Sequence, residues 1–166
     1  MSTYSSIEEK IEWARRIHRE QAAELLQDRN IVQLLDKLRS ETQASRQAMI
    51  AAGVVAICRR CEDHDGGSCC GAGIEDRYDG ITLLINLLLD VSIPSERLVP
   101  DSCYLLGPTG CVLQARDVIC INFMCTQVTN SISPLALSLL REAEGAELET
   151  LFLLHDRLGR LLGRIG

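Results

Sequence analysis

Eight cysteines lie within 68 of the chain's 166 residues, from Cys58 to Cys125, and no other feature limits its possible folds as strongly. They form two sets of four along the sequence: Cys58, Cys61, Cys69 and Cys70, then Cys103, Cys111, Cys120 and Cys125. An oxidising compartment turns dense cysteines into disulfides, whereas a reducing one favours metal ligation or redox chemistry. No apolar signal segment follows the polar start MSTYSSIEEK. The longest nearly apolar stretches, 48–58 and 81–89, fall short of the ~20 residues that span a bilayer. A cytoplasmic location, reduced thiols and no membrane span are therefore expected, and metal ligation leads.

Charge points the same way. Residues 1–60 carry ten basic and eight acidic groups, residues 61–130 three and ten, and residues 131–166 four and five. The acidic middle third holds seven of the eight cysteines. It would attract a metal cation and repel a polyanion, so no nucleic-acid partner is expected.

The flanks read as helices, and the fold class as mainly α: a helical bundle with a cysteine-rich, loop-rich insert carrying a small β-hairpin. Residues 1–166 are read as a single domain, with helical segments 6–57 and 133–166 around the insert at 58–125. An amphipathic helix is predicted over 6–29, capped by Ser5 or Ser6, with Ile7, Ile11, Ala14, His18 and Leu25 on one face. Asn30 opens a second, 31–57, whose inward stripe Ile31, Leu35, Leu38, Thr42, Ser45, Met49, Ala52 and Ala56 has coiled-coil spacing. Cys58 and Cys61 then sit at its end, and 61–76 reads as an irregular, glycine-rich loop. A short buried helix over 77–91 follows, then a connector marked by Pro94 and Pro100. A hairpin is expected at 103–114 around Gly107-Pro108-Thr109-Gly110. Residues 115–128 fit a helix or a strand. Ser133-Pro134 starts a helix to the end, broken at Gly145, with Leu148, Leu151, His155, Leu158, Leu162 and Ile165 on one face, widened by Leu154 and Leu161.

Cys58 and Cys61 are a CxxC pair, a spacing that lets two thiolates reach one ion from a single turn. No βαβ pattern surrounds them, which argues against thioredoxin-like redox catalysis. The segments CRRCEDHDGGSCC and CYLLGPTGCVLQARDVICINFMC resemble the CxxCxxCC cysteine-cluster family, described as zinc- or iron-chelating. The likeness covers about 58–125. All eight cysteines fall on the family's cysteine order, and Arg116 falls on its arginine. Seven residues separate Cys61 from Cys69 where the family has two, and Asp117 stands where it has proline. The resemblance implies metal binding.

Four thiolates suit tetrahedral zinc and iron–sulfur clusters alike. Adjacent Cys69 and Cys70 cannot both easily face one mononuclear ion, so they favour a polynuclear cluster or two neighbouring sites. Gly66, Gly67, Gly71 and Gly73 leave backbone N–H groups for cluster sulfurs. The expected cofactor is an iron–sulfur cluster such as 4Fe-4S, with zinc as the alternative. Arg116 either offsets cluster charge or is an ordinary surface arginine. His64 reads as a loop histidine, Asp63-x-Asp65-Gly lacks the glutamate of a calcium loop, and His18 and His155 read as hydrogen-bonded core histidines. No Glu-x-x-His pair, Walker loop or nucleophile elbow is present, and no catalytic residue can be named. Three functions stay open: a metal-cluster protein for electron transfer, sensing or metal handling; a zinc-stapled module binding a protein partner through its helical surfaces; and an enzyme with an open coordination site near Arg116 or His64.

Overall fold

A computed structural model describes residues 6–65 and 69–165, apart from the side chains of 62–65, 164 and 165. The expectations for the side chains of Asp63, His64, Asp65 and Ile165, and for Gly66 and Gly67, lie outside the described residues. The fold is mainly α. Its elements are α1 (Ile7–Leu25), α2 (Arg29–Ala51), α3 (Val54–Asp65), a 3-10 turn at Ile74–Arg77, α4 (Gly80–Leu88), β1 (Leu106–Gly107), β2 (Gly110–Cys111), α5 (Val118–Asn122), α6 (Thr126–Ser131) and α7 (Pro134–Ile165). The two strands pair antiparallel, Leu106 opposite Cys111, which is the expected hairpin in a shorter form.

Local chemistry sets the helix starts. Ser6 Oγ accepts from the Glu9 amide at 3.3 Å while the Glu9 carboxylate accepts from the Ser6 amide at 3.0 Å, a reciprocal capping box on α1. Asp28, not Asn30, caps α2, accepting from the amides of Asn30 and Ile31. The helix expected over 31–57 is interrupted: Gly53 takes a left-handed φ of +82° and divides α2 from α3. Helix then resumes through residues expected to be loop, so Cys58 and Cys61 lie inside α3. Within 115–128 the regular structure is helical, α5 and the start of α6 separated by 123–125, and α7 runs unbroken through Gly145.

The longest seam joins α2 and α7. Asp28 accepts from Arg157 Nε at 3.1 Å and Thr42 lies against Glu147, so the two helices run antiparallel. The stripe on α2 is buried as predicted at Ile31, Leu35, Leu38, Thr42 and Ser45. On α7, Leu151, Leu154 and Leu158 are buried as expected, whereas Leu148, His155 and Leu162 are only half-buried; nearer the start of the helix the buried register continues through Glu147, Glu144 and Leu140, because the two glutamates turn inward. The seam therefore has an apolar half and a polar half. His155 is not in the core: it is half-buried, and its Nε2 meets the Asp79 carboxylate at 2.7 Å.

α1 lies against α4, where Gly80 faces the Trp13 ring. A Cβ at Gly80 would collide with Trp13 Cε3 and come within 2.7 Å of Cζ3. Gly80→Ala is expected to destabilise the protein by about 1–3 kcal/mol through overpacking. Trp13 is the only tryptophan in the chain, so denaturation followed by its fluorescence reads the effect directly. An unchanged midpoint would show that the ring moves aside at little cost.

Two apolar clusters result. The main one draws on α1, α2, α4, the hairpin region and the C-terminal half of α7, with Cys70, Cys103, Cys111 and Cys120 in or against it. The second, smaller one centres on Val54, Val128 and Leu140, with Ile57 and Cys125 packed on it. Among the described residues, no helix is long and apolar enough to cross a membrane.

Candidate metal centre

The apolar clusters take up five of the cysteines, Cys70, Cys103, Cys111 and Cys120 in the main one and Cys125 in the smaller. Cys58 and Cys61 project from α3, beside the smaller cluster that carries Cys125 at the N-terminus of α6. Cys70 belongs with the other group through the backbone: its carbonyl accepts from the Cys103 amide at 2.7 Å, and Gly71 bridges Ser102 antiparallel. The hairpin then sets Cys111 on β2, and α5 carries Cys120, whose Sγ accepts from Tyr78 Oη at 3.6 Å.

Electrostatics trace the same grouping. Partial burial of its sulfur raises the Cys58 thiol, and the charges of Cys69, Cys125, Cys61 and Cys70 raise it further. Burial also raises Cys69, with Cys125 and Cys70 adding to it. Cys103 is pushed up to about 12, first by burial and then by the charges of Glu75, Cys111 and Cys70. Burial raises Cys120 as well, with Cys111, Asp117 and Cys70 acting the same way against the lowering hydrogen bond from Tyr78. Cys58, Cys61, Cys69 and Cys125 thus form one neighbourhood, and Cys70, Cys103, Cys111 and Cys120 another. Cys70 lies within charge reach of members of both.

All eight cysteines are present as thiols. Among the described residues, no three His, Cys, Asp or Glu side chains converge closely enough to hold one ion. The chemistry of the donors nevertheless fits a soft metal. Thiolates gathered together repel one another, and a bound cation converts that repulsion into ligation. His18 and His155 lie elsewhere in the fold.

Arg116 is buried, only 8% exposed, which removes the reading as a surface arginine. Its position depends on Asn86, which sequence reasoning passed over. Asn86 is fully buried on α4, where Nδ2 donates to the carbonyls of Thr82 and Ala115, each at 2.9 Å. Its Oδ1 accepts from the amides of Gln114 (2.8 Å) and Ala115 (3.0 Å). One amide satisfies all its hydrogen-bonding capacity and fastens the segment before Arg116 to the core. A lone asparagine in the apolar run ITLLINLLL was the available signal. Tyr78 was likewise missed; it is buried, and desolvation together with the charges of Cys111 and Cys120 raises its hydroxyl strongly.

No family model, no curated protein and no solved structure matches this chain, so the likeness of 58–125 to the cysteine-cluster family rests on cysteine order and the arginine alone.

Proposed function

We propose that this chain is a metal-binding protein whose clustered thiols hold an iron–sulfur cluster, serving electron transfer, sensing or metal handling in the cytoplasm. The observation that carries the reading is the meeting of two thiol neighbourhoods at Cys69 and Cys70. Adjacent residues whose neighbours differ suit a polynuclear cluster or paired centres better than a single ion. Cys58, Cys61, Cys69 and Cys125 would hold one part of the centre, and Cys70, Cys103, Cys111 and Cys120 the other. Such a centre supplies reversible one-electron chemistry when bound. The chain's own residues supply its surroundings. Tyr78 Oη donates to Cys120 Sγ, and hydrogen bonds to sulfur are among the levers that tune such a centre.

A second reading draws on the division into four and four, since four thiolates are a closed structural zinc site. Zinc would then staple the insert and leave the helical surfaces to bind a protein partner.

Anaerobic purification with iron, zinc and acid-labile sulfide analysis, alongside a visible spectrum, separates the two. Brown protein containing iron and sulfide and bleaching on reduction is the expected result. Colourless protein with stoichiometric zinc, unfolding when the metal is chelated, establishes the second reading. Protein that takes up neither under reconstitution overturns both.

A further inference from the structure

The two thiol neighbourhoods differ in how they are held. Cys103 is only 6% exposed and belongs to the main apolar cluster, and Cys70, Cys111 and Cys120 are half-buried against it. Separate ties fix this set. The Cys70 carbonyl accepts from the Cys103 amide, Tyr78 Oη donates to Cys120 Sγ, and Cys111 pairs with Leu106 across the hairpin. Cys58, Cys61, Cys69 and Cys125 are placed otherwise. Cys58 and Cys69 are exposed, and Cys61 and Cys125 are half-buried. The short helix α3 carries Cys58 and Cys61, and Cys125 is the N-cap of α6; these two helices pack on the smaller cluster of Val54, Val128 and Leu140.

Access and rigidity decide whether a bound metal exchanges. A competing ligand needs an entry path to the ion, and an apolar shell controls that path. Elements with few buried apolar contacts also open locally at a lower free energy than the core does. Both conditions separate the two sets in the same direction.

We propose that the surface set, Cys58, Cys61, Cys69 and Cys125, is a transfer site that passes a soft metal ion to a thiol-bearing acceptor, while the core set keeps its metal. This rests on the metal-binding reading and assigns metal handling to one half of the centre. In each exchange an acceptor thiolate binds the metal as a cysteine sulfur leaves it. The proton lost by the acceptor thiol goes to that cysteine, and the metal keeps its oxidation state. The acceptor carries thiols because a soft ion favours donors as soft as those it leaves.

The full chain, loaded anaerobically with zinc and desalted, tests the proposal when challenged with an excess of the dithiol dimercaptosuccinate. Zinc is expected to leave in two phases of similar size, the early one about tenfold faster or more. N-ethylmaleimide added after the early phase, followed by peptide mass mapping, should label Cys58, Cys61, Cys69 and Cys125 and spare the other four. Cys58→Ser should remove the early phase and leave the late one, with circular dichroism checking that helix content is kept. Loss of all zinc in a single phase, or labelling of the core set first, overturns the proposal while the metal reading stands. A chain that takes up no zinc also overturns it, and one that takes up neither zinc nor iron overturns the metal reading as well.

Discussion

Replacing Asn86 by leucine is expected to destabilise the protein by about 3–5 kcal/mol, because several buried backbone groups lose their partners at ~1–3 kcal/mol each. Leucine shares asparagine's branched outline and is the larger side chain, so the cost is not a cavity. The Ala115 carbonyl and the amides of Gln114 and Ala115 lose their partner at a place water does not reach. For a domain of ordinary stability, about 5–15 kcal/mol in all, that is about a fifth of the total or more. Asn86→Asp tests the same geometry from the other side. It keeps the acceptor for both amides but turns an oxygen toward the carbonyls of Thr82 and Ala115, so it should be no better tolerated. Chemical denaturation measures both, with the midpoint falling and the slope unchanged. A loss under about 1 kcal/mol for both variants would mean that 113–116 is held by its other contacts.

Asn86 also shows where sequence reasoning stops. Periodicity identified the apolar face of α2 because a buried helix stripe repeats every three or four residues, and its buried positions follow the spacing. The same logic found Leu151, Leu154 and Leu158 on α7 but missed the buried positions nearer its start. Glu144 and Glu147 are buried charges, and hydropathy places charges outside unless a partner from a distant segment is known. Arg116 and Thr42 come from segments 31 and 105 residues away from Glu147, and only the tertiary fold brings them together. Gly53 is a third case. Glycine inside a helical pattern is usually tolerated, and its left-handed φ follows from how α3 must turn to pack with α6 against Leu140. The eight cysteines were plain in the sequence, but their grouping was not. Chain order put Cys70 with Cys58, whereas the bridge between Gly71 and Ser102 draws it toward Cys103, and α6 brings Cys125 back to α3.

That regrouping makes Cys70 the position where a single atom should matter most to metal uptake. Cys70→Ser keeps the main-chain hydrogen bond from the Cys103 amide, since that bond uses the carbonyl, so the scaffold should survive. What changes is the donor: a neutral hydroxyl is a poor ligand for a soft metal where a thiolate is a good one. The thiol lies within charge reach of Cys58 and Cys69 on one side and Cys103 and Cys120 on the other. Its loss should therefore weaken both parts of the centre, on the order of 100-fold in affinity, at least as much as losing an outer-shell partner costs elsewhere. Cys125→Ser and Cys103→Ser should each deplete one part only, leaving about half of the bound metal if the centres are separate four-thiolate sites. Metal per chain after anaerobic reconstitution, measured beside wild type and with helix content checked, distinguishes the cases. If Cys70→Ser retains the full complement, Cys70 is a packing residue. If Cys125→Ser and Cys103→Ser each abolish all binding, the eight thiols serve one inseparable cluster, and the division into two sets describes only how the fold brings them to it.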